Sequence, residues 1–282
     1  MSSSERTGYE IDVGRFRARA NAGRPEDDPS PMVQELIARL AFGAERAGFD
    51  GRDILDYGCG TGAALEWLRT RHHPGRMLGL DASPGAIRFA RERYPGIAFE
   101  VLDIEGVSAG AAREWDVALC FEVLEHLHHP DRALERLATR YLRPDGVLLV
   151  STPNRLVFSG GMEPSPINRT HIHEMDAGEF RSLLERWFEG VEIFGMRFRD
   201  AARMAAHARA VRRACEGYRA LGEAWWNPLV SRGYRWVLRG GALDLVLGRQ
   251  HRRWRAADFE FTPAEPERAI WSYAVARRPR PR

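Results

Sequence analysis

Asp56, Asp81 and Asp103 each close a short apolar run, and three alternating glycines, Gly58, Gly60 and Gly62, follow the first of them. Carboxylates at strand ends accept hydrogen bonds from sugar hydroxyls or from a base's amino group. A glycine turn lets a ligand lie on backbone where side chains would otherwise stand. The turn reads Asp56-Tyr57-Gly58-Cys59-Gly60-Thr61-Gly62, between the run Ile54–Tyr57 and a helix-like stretch from Ala63 to Leu68. It is not the dinucleotide pattern, whose third glycine comes one residue later, and no Gly-Lys-Ser/Thr follows to make a phosphate loop. Alone, the turn equally suits a tight strand-to-helix connection, and each acid a loop or a helix cap. Together, on the carboxyl edge of neighbouring strands, they outline a nucleoside crevice. Asp81, 19 residues after Gly62, reaches the ribose, and Asp103 the amino group of adenine.

Proton removal is the second chemistry available, and imidazole suits it because its pKa lies near the working pH. Of nine histidines, His126 lies in Glu125-His126-Leu127, just past the run Val117–Phe121. Glu125 is placed to orient that ring or to touch an amine, although a histidine satisfied by local backbone fits the same position. His171 and His173 lie in Arg169-Thr170-His171-Ile172-His173-Glu174-Met175, and two residues apart in an extended segment they share a face. Glu174 points elsewhere, so the pair lacks a third ligand and no metal is assigned. His72, His73, His128 and His129 adjoin Pro74 and Pro130 and read as surface residues.

The elements that carry these residues alternate. Strands are predicted at Ile54–Tyr57, Met77–Asp81, Ile97–Leu102, Val117–Phe121, Val147–Ser151, Val191–Phe194 and Ala269–Ala276. Helices are predicted over 31–48, Pro84–Arg93 (capped by Ser83), Pro130–Tyr141 and Ala177–Trp187, the last with Asp176 and Glu179 as a capping pair. Arg143–Gly146 reads as a turn. This rhythm argues for a mostly parallel sheet with helices on both faces. Residues 200–255 break it with helices over Ala201–Leu221 and about Pro228–Arg249. The chain divides into a leader and helical cap (1–48), a ligand-binding core (49–199), an inserted helical lobe (200–260), and a final strand with an arginine-rich tail (261–282).

Bulk properties exclude several classes. With 44% apolar and 29% charged residues over 282 positions, the chain has the balance of a globular protein. No apolar run approaches the ~18 residues of a membrane span, and the N-terminus lacks the apolar stretch of a secretory signal. Three scattered cysteines, Cys59, Cys120 and Cys215, build neither a disulfide framework nor a thiolate cage, which points to a reducing cytoplasm. All 42 basic side chains are arginine, and the net charge of +3 is too small to imply DNA. Residues 201–255 hold 12 of them against Glu216, Glu223 and Asp244. That basic stretch suits a solvated face, an anionic acceptor or a membrane surface, and no RNA-binding module is readable in it.

The motifs together resemble the class I S-adenosylmethionine-dependent methyltransferases, and more loosely their ubiquinone-biosynthesis-like small-molecule branch. The likeness rests on the glycine turn, Gly79-Leu80-Asp81-Ala82-Ser83, Asp103-Ile104, Phe121-Glu122-Val123-Leu124-Glu125-His126-Leu127, and Leu142-Arg143-Pro144-Asp145-Gly146 with Ser151-Thr152-Pro153-Asn154. It implies a Rossmann-like doubly wound sheet of seven strands in the order 3-2-1-4-5-7-6, strand seven antiparallel, with an inserted helical lobe. It also places Gly58, Cys59, Gly60 and Gly62 at the methionine part of the cofactor, Asp81 at the ribose and Asp103 at adenine. The cofactor's chemistry fits these residues. Asp56 and the turn's carbonyls meet cationic parts, turn amides meet the carboxylate, and Ala82 and Ile104 sandwich the adenine. Phe121 lies where the chain passes the reactive methyl, or equally in the core.

The expectation is therefore methyl transfer to a small acceptor in natural-product, quinone or sugar metabolism, most simply at oxygen, releasing S-adenosylhomocysteine. His171 or His173, or else His126, would serve as base. Nitrogen or carbon acceptors, an RNA or protein target, and a non-catalytic interaction protein are the alternatives. Tyr9 and Phe16 would belong to a lid. Trp225 and Trp226 would line the acceptor pocket with Tyr9 and Glu125, serve a homodimer interface, or fill the lobe's own core.

Overall fold

In the computed structural model the described residues are 30–106, 114–222, 224 and 254–280. Tyr9, Phe16, Trp225, Trp226 and the helix expected over 228–249 lie outside them. Among the described residues eight strands form one sheet: β1 (Ile54–Tyr57), β2 (Met77–Asp81), β3 (Ala98–Val101), β4 (Trp115–Phe121), β5 (Leu142–Pro153), β6 (Phe188–Phe198), β7 (Phe259–Thr262) and β8 (Trp271–Pro279). Their order is β3-β2-β1-β4-β5-β8-β6-β7. The first five pair in parallel, and β8 runs antiparallel to both β5 and β6. The seven-strand order is present, with the chain's last strand between the fifth and sixth. One edge strand is added to it. Residues 259–262, where the pattern ends the helical lobe, pair antiparallel with β6, and Phe259 turns into the core.

Seven α-helices flank the sheet among the described residues: α1 (Pro31–Ala47), α2 (Ala63–Arg71), α3 (Pro84–Arg93), α4 (Pro130–Arg136), α5 (Arg155–Phe158), α6 (Ala177–Glu185) and α7 (Ala201–Leu221). Adjacent strand residues serve opposite faces. Ile54, Val117, Leu119 and Leu149 pack with Leu40, Leu65, Leu68 and Ile87 of α1–α3. Leu55, Ala118, Cys120 and Val150 pack with Leu134, Phe180 and Leu184 of α4 and α6. Both faces are covered, which is why these strands read as unbroken apolar runs rather than alternating ones.

The caps are where the spacing puts them. Ser83 Oγ accepts from Ala86 N at 3.2 Å, and Asp176 with Glu179 closes a capping box on α6. Two local expectations change. The helix from Pro130 passes at Leu137 into a π-helical turn that runs to Tyr141. Arg143–Gly146 bulges within β5, because Trp115 pairs with Leu142 and Val117 already with Val147. From β1 the chain moves outward to β2 and β3, then returns to the other side of β1 as β4. That reversal opens a crevice beyond the carboxyl ends of the strands, where such sheets bind ligands.

Candidate active site

Asp56 and Asp81 lie at the carboxyl ends of the neighbouring parallel strands β1 and β2, and Asp103 two residues beyond β3, so the three share one edge of the sheet. Gly58, Gly60 and Gly62 take φ values of 89°, 53° and 81°. A Cβ on Gly58 would stand 2.4 Å from Val123 Cγ2, and one on Gly62 2.7 Å from the Phe99 ring. Both the backbone and the packing therefore require glycine. Gly58 N and Cys59 N donate to Leu80 O, tying the turn to β2. Asp81 completes this knot: its Oδ2 accepts from Gly60 N and its Oδ1 from Ser83 N, both at 2.8 Å. Burial raises the Asp81 pKa, and the two amides oppose that rise.

Asp56 is 4% exposed, and its Oδ2 has no hydrogen-bond partner. Burial, and then the Asp81 charge, push its pKa to about 7. A buried carboxylate oxygen left bare is a docking point for a cation. Ala82 is half-buried beside Asp81. Asp103 is exposed and caps its own turn, its Oδ1 accepting from Glu105 N and Gly106 N at 3.1 and 2.9 Å. Ile104 is buried next to it. Cys59 is buried, and burial raises its thiol well above the ordinary range. Phe121 is half-buried, its ring 5.7 Å from that of Tyr273.

On the far side of the crevice the chain leaves β4 through Glu122, a non-glycine residue at φ 56°. Such strain persists where the surroundings hold it in place. Ser151 Oγ donates to Glu122 Oε1 at 2.8 Å, and Arg39 Nη2 lies 3.2 Å from the same oxygen. Arg39, on α1, is 3% exposed, stacks 5.4 Å from the Trp271 ring, and has no hydrogen-bond partner at Nε. Glu35, one helical turn earlier, has its pKa raised to about 8 by burial. Arg39 works against that rise and Glu122 adds to it.

A 3₁₀ turn, Leu124–His126, follows. Glu125 is fully buried, accepts from Thr152 Oγ1 at 3.1 Å, and leaves Oε1 without a partner. Burial, and then the Glu122 charge, raise its pKa well above the ordinary carboxylate value. Its backbone oxygen accepts from Ile172 N and His173 N, which brings the 168–175 segment against this turn. His126 Nδ1 lies 3.0 Å from Thr170 O, and its ring packs edge-on to that of His171 at 4.9 Å. A carbonyl only accepts, so Nδ1 is the protonated nitrogen and the lone pair sits on Nε2. Burial lowers the His126 pKa, so the ring is neutral at physiological pH.

The two histidines of the later segment part company. His171 is buried, its Nδ1 2.7 Å from Glu174 Oε1 and its Nε2 2.7 Å from Asn168 Nδ2. His173 is exposed and faces Glu163 at 3.2 Å. The shared face expected for them fails because the chain bends at Ile172, where Ile172 N and His173 N both donate to Glu125 O. Glu125, His126 and His171 bring ligand atoms within 4.8 Å of one another, a set that could hold a metal ion. An ion there would have to compete for a His171 nitrogen already engaged, Nδ1 with Glu174 or Nε2 with Asn168.

A family profile described as a methyltransferase domain matches residues 28–187, more than half the chain and all of the crevice just described. The chain belongs to the methyltransferase-domain family. With it, the chain joins the S-adenosylmethionine-dependent methyltransferases. A Mycolicibacterium smegmatis protein named "Probable S-adenosylmethionine-dependent methyltransferase" is 34% identical over 180 residues, 63% of this chain and 68% of that one. A ubiquinone biosynthesis O-methyltransferase of Alkalilimnicola ehrlichii is 30% identical over 159 residues, 54% of this chain and 63% of that one. About a third of each relative lies outside the match. Among solved structures, a chain of the complex between the Haloferax volcanii Trm112 methyltransferase activator and a methyltransferase superposes with a TM-score of 0.56. It is 17% identical, covers 95% of this chain and 96% of its own, and bears on the fold alone.

This methyltransferase domain carries two charged groups at its crevice to which motif spacing assigns no role, Arg39 and Glu122. A signal existed. Arg39 interrupts Leu36-Ile37-Ala38-Arg39-Leu40-Ala41-Phe42, and Glu122 interrupts Cys120-Phe121-Glu122-Val123-Leu124. Charged residues inside apolar runs are buried only when something pairs with them.

Proposed function

We propose that this methyltransferase domain moves the methyl group of S-adenosylmethionine to a hydroxyl oxygen of a small acceptor, with His126 taking the proton. When bound, the cofactor supplies a methyl on a sulfonium, a leaving group that needs no acid. The residues present fit it. The bare Asp56 Oδ2 suits a cation, Asp81 the ribose hydroxyls and Asp103 the adenine amino group. The ion pair of Arg39 and Glu122 mirrors the carboxylate and ammonium of the methionine end. Ala82, Ile104 and the glycine turn supply apolar and backbone surface, and Phe121 borders the methyl.

The observation that carries the acceptor reading is the His126 ring, neutral, with its tautomer fixed by Thr170 O, beside the end of β4. His171 has both nitrogens engaged and serves better as a buttress for that ring than as the base. Charge balance supports a neutral hydroxyl over an ammonium or a polyanion. Arg39 and Glu122 cancel, and His126 is uncharged. The relative named for ubiquinone biosynthesis O-methylation supports oxygen as the acceptor atom.

Incubation with methyl-labelled S-adenosylmethionine and a panel of phenols, sugars, carboxylic acids, amines and bulk tRNA tests this reading. Label should appear in methyl ethers. Label on nitrogen or in tRNA at an equal or greater rate would overturn it.

Two cofactor predictions follow from the same groups. Arg39→Met should weaken S-adenosylhomocysteine binding about tenfold, the scale of one lost charge-assisted contact. It should leave 5′-methylthioadenosine, which lacks the amino-acid end, within about twofold. Equal losses for both ligands would remove Arg39 from the methionine site.

Asp56 makes binding depend on pH. Its raised pKa means that the empty site holds a proton up to about pH 7, and an adjacent cation favours release of that proton. S-adenosylmethionine affinity should therefore rise with pH towards 7 and level off above it. Calorimetry in buffers of different ionisation enthalpy should show proton release at pH 6 and little at pH 8.5. Asp56→Asn should abolish the difference.

A further inference from the structure

Asp103 and Ile104 sit on a loop that has every reason to be loose. It leaves β3, the edge strand of the sheet, so it has a strand neighbour on one side only, where Leu102 N bonds Asp81 O at 3.0 Å. Asp103 itself is exposed and spends Oδ1 on its own turn. A loop like this would present its remaining carboxylate oxygen over a range of directions, which is poor geometry for reading one amino group on a base.

Groups from outside the loop remove that freedom. Arg136, the last residue of α4, lays its guanidinium across three successive carbonyls. Nη1 donates to Ile104 O at 3.0 Å and, more weakly, to Asp103 O at 3.4 Å, while Nη2 donates to Glu105 O at 3.3 Å. Tyr57, buried at the tip of β1 between Asp56 and Gly58, donates its hydroxyl to the same Ile104 oxygen at 2.9 Å. Just before α4, His129 N donates to Glu105 Oε1 at 2.6 Å. The loop is held from both ends of one helix and from the strand that starts the glycine turn. Planar and delocalised, the guanidinium holds these carbonyls in a fixed fork, whereas an ammonium is a point charge on a flexible stem.

The geometry points to Arg136, with Tyr57, as the positioning residue that sets the orientation of Asp103 and so makes the cofactor site select adenine over a 6-oxo purine. Arg136 touches no ligand in this account. It acts through Asp103 and Ile104, and the assignment rests on the reading of those two residues as the adenine contacts. Asp103 can accept a hydrogen bond from adenine's amino group but offers nothing favourable to a carbonyl in the same place. Selectivity then depends on how firmly the carboxylate is aimed. The clamp also links the adenine end of the site to the glycine turn, because Tyr57 belongs to that turn.

Calorimetric titration of the full chain with S-adenosylhomocysteine and with S-inosylhomocysteine tests this. The wild-type protein should prefer the adenine ligand. Arg136→Met should narrow that preference about tenfold, the scale of one or two lost charge-assisted hydrogen bonds. The change should come from weaker S-adenosylhomocysteine binding, with the inosine ligand altered by less than about twofold. Tyr57→Phe should narrow the preference in the same sense and by less. Arg136→Lys, which keeps the charge without the fork, should fall between wild type and Arg136→Met. A preference unchanged in folded Arg136→Met and Tyr57→Phe proteins, or equal losses for both ligands, would reduce the clamp to a structural contact and overturn the inference. A wild-type protein that binds both ligands equally would instead sink the adenine reading itself.

Discussion

Asp81→Ala is expected to weaken S-adenosylhomocysteine binding by about 100-fold or more, since two charge-assisted hydrogen bonds to ribose hydroxyls are each worth about tenfold. The loss goes beyond the ribose. Asp81 Oδ2 holds Gly60 N and Oδ1 holds Ser83 N, so the same carboxylate fixes the middle of the glycine turn and the entry to α3. Removing it leaves two amides without acceptors and releases the backbone on which the methionine end would lie. Asp81→Asn separates the two roles. Its amide keeps one acceptor oxygen but turns an NH₂ towards an N–H, so it should fall between wild type and alanine in both affinity and melting temperature. A 2′-deoxyribose analogue should lose less affinity on Asp81→Ala than the parent ligand, because one contact is already missing. Calorimetry on the three proteins decides the matter. An alanine variant that binds S-adenosylhomocysteine within about threefold of wild type would remove Asp81 from the ribose site.

What was legible in the sequence was whatever short spacing encodes. The strand ends at Asp56 and Asp81, the three glycines, the Ser83 cap and the Asp176–Glu179 box are local patterns, and each stands where its neighbours place it. The covered sheet was legible too, because strands buried on both faces leave unbroken apolar runs. Interactions across long sequence separations were not. Arg39 meets Glu122 and Trp271, which lie on β4's exit and on the last strand, and nothing near Arg39 in sequence announces either partner. Arg136 reaches back 31 to 33 residues to the loop of Asp103 and Ile104. The edge strand β7 escaped because four residues after a basic, helix-like stretch carry too little period-two signal. The His171–His173 pair was misjudged for a different reason. Alternation predicts a shared face only in extended chain, and this segment bends at Ile172, with one ring inward against Glu174 and the other out beside Glu163.

That division of the histidines carries the second large effect. His126→Ala should lower kcat about 100-fold or more with an acceptor from the labelled panel, the usual contribution of a positioned general base. S-adenosylhomocysteine affinity should stay near the wild-type value, because no cofactor contact is assigned to the ring. His173→Ala, exposed and paired only with Glu163, should keep nearly full rate. His171→Ala should lose part of the rate by letting the His126 ring tilt, and should lose stability by leaving Glu174 buried without its partner. The pH profile distinguishes a base from a packing residue. Burial lowers the His126 pKa, so the proton-accepting form dominates at neutral pH and is lost only as pH falls below the ordinary imidazole value. The kcat profile should therefore carry an acid limb shifted to lower pH than a free histidine would give. That limb should vanish in His126→Ala, leaving a slow rate that follows ionisation of the acceptor itself. Glu122→Gln should move the limb further down, because the Glu122 charge favours the protonated ring. A His126→Ala enzyme that keeps the wild-type rate and the wild-type limb would mean that the acceptor loses its proton to another group, and the ring beside β4 would be a core histidine after all.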